Sequence, residues 1–214
     1  APLMAHLPQP VLAAVVVSAL AHALDPTPLI RLWRLDRDQW VAVGAAAGVL
    51  LLGVVDGMLV AMAVSLASMI SRLAMPVVVR LGRLGDSRDY VDLARHDDAR
   101  QPDGIGIWRP SEPLFFANAE RVLGEVTRAA TAEPGLVSVV LSLEESFDLD
   151  STALEALIDF DTRLASQGLP LRLARVRDTV RDLLAAAEAD GLLERASYSV
   201  DDAVAAAEAE AKGR

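Results

Sequence analysis

Apolar and polar positions along this chain follow two regimes that change near residue 75. From Leu7 to Leu24 there are 18 residues without a formal charge, behind Pro8 and Pro10 and ahead of Asp25-Pro-Thr-Pro28. Prolines are tolerated in a first helical turn, where their missing N–H has no partner to lose. Eighteen residues is the lower edge of a membrane-spanning length, with a buried helix of a water-soluble core as the alternative. From Trp40 to Ser71, 32 residues hold a single charge, Asp56. A soluble helix of that length with no polar face would be exceptional. Asp56-Gly57 divides the stretch into Val41–Val55 and Met58–Ile70. Each run is roughly 20 Å long as a helix, short of a ~30 Å hydrocarbon core. A turn at Gly53–Gly57 within a re-entrant or inner-bundle hairpin fits this better than two lipid-exposed helices, and one long tilted helix is the rival. The expected membrane helices therefore cover about 7–24, 40–55 and 57–71. Asp56 reads as the N-cap of the second run, against the alternative of an intramembrane carboxylate beside an ion path. Gly44, Ala45, Ala47, Gly48, Ala61, Ala63 and Ala67 permit close helix packing.

Past Met75 the pattern becomes that of a folded α/β unit. Met75–Leu81 and Gly104–Arg109 read as strands, with a charged hairpin and loop between them. The Gly104-Ile-Gly of the second strand is not a phosphate loop, because no helix start follows it. Leu114–Phe116 lead into a helix with Asn118 as its cap and Ala119, Val122, Leu123 and Val126 on its buried face. Val137, Val139, Val140 and Leu141 form a buried strand, followed by an acidic loop, Glu144 to Asp150, and a helix. Thr152 and Glu155 have capping-box spacing, and Leu154, Leu157, Ile158, Leu164 and Ala165 share one helical face. Leu169–Val176 is a further strand. Asp178–Ala189 is a helix with Val180, Leu183, Leu184 and Ala187 inward, stopped at Gly191, and Ser199-x-x-Asp202 caps a last alanine-rich helix. Alternating strands and helices predict a parallel or mixed sheet with helices packed on it. Partners of such sheets sit at the carboxyl ends of the strands, here the Glu144–Thr152 loop.

Charge sharpens the division. Residues 1–75 hold four arginines and four aspartates, whereas 76–214 hold the other 16 basic and 26 acidic residues, net −10. The chain is 53% hydrophobic, with mean hydropathy +0.34. An acidic unit with no basic face excludes a nucleic-acid partner. Cysteine is absent, and His6, His22 and His96 follow no ligand spacing, so no metal and no other cofactor is expected. No signal peptide is recognisable, and the start at Ala1 suggests that the chain begins inside something longer. Arg31, Arg34 and Arg37 precede the long apolar stretch, and Arg72, Arg80, Arg83 and Arg88 follow it. The positive-inside rule then places both ends of the hairpin in the cytoplasm, with the acidic unit, and the end near Ala1 outside. Trp33 and Trp40 beside the first three arginines read as an interfacial belt in contact with lipid.

Several motifs resemble one family. Asp148-Leu-Asp-Ser-Thr-Ala-Leu154 resembles the D-S-[ST]-G-L signature of STAS domains, with Ala153 where glycine is usual. Those domains occur in bacterial anti-sigma-factor antagonists and in the tails of SulP-type anion permeases. Pro113-Leu-Phe-Phe-Ala-Asn-Ala-Glu120 resembles the P-L-F-F-x-N segment of the permease version, and Arg175-Val-Arg and Ser199–Val204 also fit it. The apolar first third resembles the last membrane helices of such permeases. The resemblance implies a membrane α-helical segment at 1–75 followed by an α/β STAS-like domain at 76–214. It also implies sodium- or proton-coupled transport, or exchange, of an anion such as sulfate or bicarbonate. Substrate-binding residues are then expected upstream of Ala1, with the N-terminal membrane helices and a second copy of the chain as partners. By resemblance Thr152 matches the phosphoacceptor of the antagonists, with Ser151 beside it. Phosphate there would add up to about two negative charges next to Glu144, Glu145, Asp148 and Asp150, altering how a cytosolic protein docks. The plain alternatives are a helix cap and a solvated loop.

Three functional classes follow: part of a secondary anion transporter, a membrane-tethered interaction module of the antagonist type working by a phosphoswitch, or an enzyme. The segment Pro113–Glu120 and the apolar hairpin argue against the second, which is ordinarily soluble. No nucleophile–base pair, metal spacing or nucleotide loop supports the third.

Overall fold

The computed structural model describes residues 9–23, 27, 30 and 39–213. Arg31, Trp33, Arg34 and Arg37, on which the interfacial belt and half of the orientation argument rest, lie outside the described residues. The chain divides into two compact units, 1–68 and 69–214.

In the first unit, helix α1 covers Gln9–Ala23, α2 covers Gln39–Leu52, and α3 begins at Val54 and runs to Ala74. The break in the long apolar stretch is therefore at Gly53, the first residue of the expected Gly53–Gly57 turn, and not at Asp56-Gly57. Gly53 has φ +88°, a left-handed conformation that costs glycine little and interrupts the helix, which rules out one continuous span. Asp56 accordingly does not cap α3; it lies inside the first turn, where a carboxylate complements the positive end of the helix dipole. Gly57 is buried, and a Cβ there would overlap the backbone of Val49, so α2 and α3 touch backbone to backbone. Moving the break lengthens the second run. At 21 residues α3 is about 31 Å long, enough to cross a bilayer, which corrects the expectation of two short runs. Among the described residues it is the one helix both long and apolar enough to do so, while Ala42–Leu52 is a shorter apolar segment. Leu50 and Leu51 are 85% and 83% exposed, and Val55, Met58 and Met62 are also exposed. So much uncovered apolar surface demands lipid or further protein around it.

The second unit is built on a six-stranded mixed sheet. Its strands are β1 (Val78–Leu84), β2 (Tyr90–Asp92), β3 (Ala99–Arg100), β4 (Ile105–Pro110), β5 (Ser138–Ser142) and β6 (Leu171–Ala174). The order is β2-β1-β4-β5-β6, with β3 also pairing β1. β1 is antiparallel to β2, β3 and β4, whereas β4, β5 and β6 are parallel. Between and after them come α4 (Ala119–Ala132), α5 (Ser151–Ser166), α6 (Asp178–Ala186), α7 (Asp190–Glu194) and α8 (Val200–Lys212).

Side chains of the central strands alternate between two cores, as the period of a pleated strand requires. Trp108, Val139, Leu141, Leu171 and Leu173 join the larger core with Leu123, Val126, Leu157 and Phe160 of α4 and α5. Ile105, Ile107, Val140 and Ala174 face Val200, Ala203, Val204 and Ala207 of α8 in the smaller one. β5 is buried along its whole length, hence its run of β-branched residues. Arg172 points to the α8 side and pairs with Glu210. The helix expected over 178–189 ends earlier: Glu188 adopts φ +54°, and Gly191, expected as the stop, lies inside α7. Ser199 caps α8 as its spacing predicts, accepting from the Asp202 N–H at 3.0 Å.

Arg80 packs its guanidinium 4.1 Å from the Trp108 ring centroid and bridges to Glu133 at 2.6 Å, with Gln101 also donating to that carboxylate at 3.0 Å. The Arg80 hydrogen bond holds the Glu133 carboxyl below the usual range against partial burial. Because the folded value lies below the unfolded one, this stabilisation is full above the unfolded value and is lost as pH falls through the folded one. Glu133→Gln should therefore flatten the acid limb of a stability-versus-pH curve followed by denaturant titration, and an unchanged limb would count against this assignment.

Candidate functional site

The acidic loop emerges where β5 ends. Because β5 lies between two parallel neighbours, its carboxyl end sits beside those of β4 and β6, and residues from all three strands converge there. Glu144 stands between two arginines brought by the flanking strands. Arg109 Nη1 donates to its Oε2 at 3.0 Å, and Arg175 Nε lies 4.0 Å from its Oε1. Arg175 reaches this position through a left-handed backbone, φ 58°, a strain of about 1–3 kcal/mol for a residue with a Cβ. Glu144 is thus a neutralised member of an ion cluster rather than part of a repelling acidic patch. A shallow cleft of ≈ 220 Å³ beside it is lined by Glu144, Arg175, Val176, Arg177 and Tyr198. That is smaller than the roughly 300 Å³ at which small-molecule pockets begin. The geometry suits surface contact.

The rest of the loop is folded back on the Pro113–Glu120 segment. Ser146 is buried, and its Oγ accepts from the Leu114 N–H at 3.0 Å. Leu149 is buried in the larger core, and Asp148 accepts from the Leu149 N–H within its own turn. Asp150 does two things. Its Oδ1 accepts from the Ala153 N–H at 2.8 Å, which makes it the N-cap of α5, and its Oδ2 accepts from the Phe116 N–H at 2.7 Å. The capping box expected from Thr152 and Glu155 is therefore not formed. The chain enters the helix two residues earlier than that spacing implies, and Asp150 takes the cap. Ala153, where the signature has glycine, sits inside α5 with its methyl in the core.

Ser151 and Thr152 are exposed in the first turn of α5, and Glu145 and Asp148 are exposed alongside. Phe116 and Phe147, one from each of the tied segments, are 69% and 60% exposed. Sequence reasoning missed Arg109, Ser146 and Phe147 here, and it read Arg175 only as part of the family-like Arg175-Val-Arg stretch, without its partner. Both arginines end predicted strands, and nothing but the sheet order makes those strands neighbours of β5. Among the described residues no group of His, Asp or Glu is placed to hold a metal ion.

The STAS family model matches residues 97–203, half of the chain. The chain belongs to the STAS-domain family. The similarity extends beyond the STAS domain itself. A probable sulfate transporter of Mycobacterium tuberculosis is 34% identical over 187 residues, covering 86% of this chain and 33% of its own length. Sulfate transporter 1.1 of Arabidopsis thaliana is 28% identical over 197 residues, covering 87% of this chain and 30% of its own. The chain thus spans about a third of the length of the curated relatives it matches. Murine Slc26a9, an anion transporter solved in an inward-facing state, superposes with a TM-score of 0.78 over 95% of this chain and 34% of that one, at 22% identity. The fold is shared at that distance. The resemblance to the last membrane helices and STAS domain of a SulP permease, read from Asp148–Leu154 and Pro113–Glu120, agrees with these relatives.

The roles of Asp150 and Thr152 in the STAS domain are separable. Asp150→Ala removes the cap and the tie to Phe116 and should cost about 1–2 kcal/mol. Thr152→Ala, on an exposed site, should change stability by no more than about 0.5 kcal/mol. Denaturant titration of the two variants tests the order, and equal losses would restore Thr152 as the cap.

Proposed function

We propose that this chain is the part of a SulP-type secondary anion transporter in which the last membrane helices pass directly into a regulatory STAS domain. The observation that carries the reading is continuity: a spanning-length apolar helix, α3, leads through a buried Pro76 into β1 of the STAS sheet. The sulfate-transporter relatives match across both parts. Residues 1–75 are the membrane part, multi-pass, and 76–214 the cytoplasmic domain, an orientation supported by the arginines on either side of the apolar stretch. The transported species is an anion of the sulfate class, with bicarbonate a second candidate. The anion itself sits among half-helices outside this chain, as in inverted-repeat transporters generally. The partners are the remaining membrane helices, a second copy, lipid and a cytosolic protein at the STAS surface, with no nucleic acid. The protein works by transport and contact and is not an enzyme.

Regulation is assigned to the start of α5. Ser151 and Thr152 are accessible, and phosphate on Thr152 would set about two negative charges beside the Asp150 carboxylate that anchors Phe116. Repulsion would loosen that anchor, with the helix N-terminus offsetting part of it. The same accessibility favours the second reading, a membrane-tethered interaction module of the anti-sigma-antagonist type acting through a Ser/Thr phosphoswitch.

One measurement checks that the chain alone does not transport, and a second separates the two readings. Liposomes holding only the 214 residues should show no anion flux. A chimera in which these residues replace the matching part of the mycobacterial relative should restore sulfate uptake to uptake-deficient cells. A chimera that inserts normally but carries nothing would sink the transporter reading. In the working chimera Thr152→Glu should lower uptake several-fold while Thr152→Ala does not, and phosphopeptide mass spectrometry of native protein should find Ser151 or Thr152 modified. Persistent absence of phosphate at both would remove the switch.

A further inference from the structure

A helix leaves its final carbonyl groups without intrahelical partners, and a helix that merely tethers a domain leaves them to water. The end of α3 is different. The Met75 N–H closes on the Arg72 carbonyl at 3.3 Å. The Leu73 carbonyl accepts from Asn118 Nδ2 at 2.9 Å, and the Ala74 carbonyl accepts from Arg121 Nη2 at 3.0 Å. Arg121 also brings a positive charge to the negative end of the helix dipole. Two residues on, Val77 exchanges hydrogen bonds with Ser111: its N–H donates to the Ser111 Oγ at 3.0 Å, and its carbonyl accepts from the Ser111 N–H at 2.9 Å. Pro76 between them is buried.

Asn118 is the centre of this arrangement. It stands at the N-cap position of α4 as expected, yet its side chain makes no cap hydrogen bond there. It is fully buried, and its amide meets three backbone groups, one at the end of α3 and two in the connector before α4. Nδ2 donates to both the Leu73 and the Pro113 carbonyls at 2.9 Å, and Oδ1 accepts from the Phe115 N–H at 3.0 Å. No other residue type offers two donors and an acceptor in one short planar group, apart from the longer Gln. The compact unit that contains the sheet correspondingly begins at Met69, more than a turn before α3 ends.

We infer that Asn118 is a positioning residue that docks the last turn of α3 onto the STAS domain, with Arg121 as its charged second point. Residues 69–77 are then a held part of the folded STAS unit rather than a free linker. A displacement of that turn is handed to β1 and β4 through Val77–Ser111 and to α4 through Asn118. The inference concerns this segment alone and stands whether or not the chain is part of a transporter.

Hydrogen–deuterium exchange of the 214-residue chain in lipid nanodiscs reads the segment directly. Asn118→Asp keeps the acceptor for Phe115 but replaces the donor with a carboxylate facing two carbonyls. Amides of 71–77 should exchange about tenfold faster or more, the consequence of leaving buried carbonyls unpaired. Amides of β5 and β6 should keep their protection. Arg121→Ala, at a more exposed point, should produce the same pattern at a smaller, roughly threefold, size. Unchanged exchange over 71–77 in both variants would overturn the inference. So would loss confined to variants in which the whole sheet exchanges, with Arg121→Ala silent, since Asn118 would then serve only general stability.

Discussion

The burial of β5 on both faces, between two parallel neighbours, is the constraint on which the rest of the STAS domain depends. A strand covered on both sides must satisfy every backbone group in the ladder and fill both cores with side chains, so Val139, Val140 and Leu141 have no freedom to be polar. Parallel pairing then forces the chain to return over the sheet through helices. It places the loop after β5 beside the ends of β4 and β6. The convergence of Glu144 with Arg109 and Arg175 is a consequence of that topology, and so is the position of α5, whose buried residues share the larger core with Val139 and Leu141 of β5 and Leu171 and Leu173 of β6.

Polar groups near this loop act mainly on the backbone. Ser146, Asp150 and Asn118 each accept from or donate to main-chain groups of a distant segment, and together they fix the Pro113–Glu120 stretch in place. This segment has no regular structure before α4, so its amides and carbonyls need side-chain partners once it is packed. The motif Pro-Leu-Phe-Phe-Ala-Asn is thus understood as a connector. Leu114 enters the core, the amides of Leu114, Phe115 and Phe116 meet three different side chains, and Asn118 reaches the end of α3. Phosphate at Thr152 would act on this framework through Asp150, which gives the proposed switch a physical route that does not require a pocket.

The membrane-facing part obeys a different rule. Among the described residues its exposed leucines and methionines leave the helices without a core of their own, so their stability must come from lipid or from further protein. Gly57 provides close approach of α2 and α3, and Gly53 the break between them. Where the break falls matters, because it decides whether the second helix is too short for a bilayer or long enough.

The sequence by itself determined the division into an apolar and an acidic part, the mixed sheet with its helices, the buried face of α4, the α8 cap at Ser199, and the family. Each of these follows from periodicity, composition or a local motif, which depend on residues close together in the chain. Tertiary structure decided what depends on residues far apart. Asp150 rather than Thr152 caps α5 because Phe116, 34 residues away, fixes where the carboxylate sits. Asn118 holds α3 rather than α4 because the Leu73 carbonyl, 45 residues earlier, would otherwise be unpaired. Glu144 is neutralised only because the sheet order brings Arg109 and Arg175 to either side of it. Spacing along a chain records what a side chain can do; which partner it meets is set by the fold.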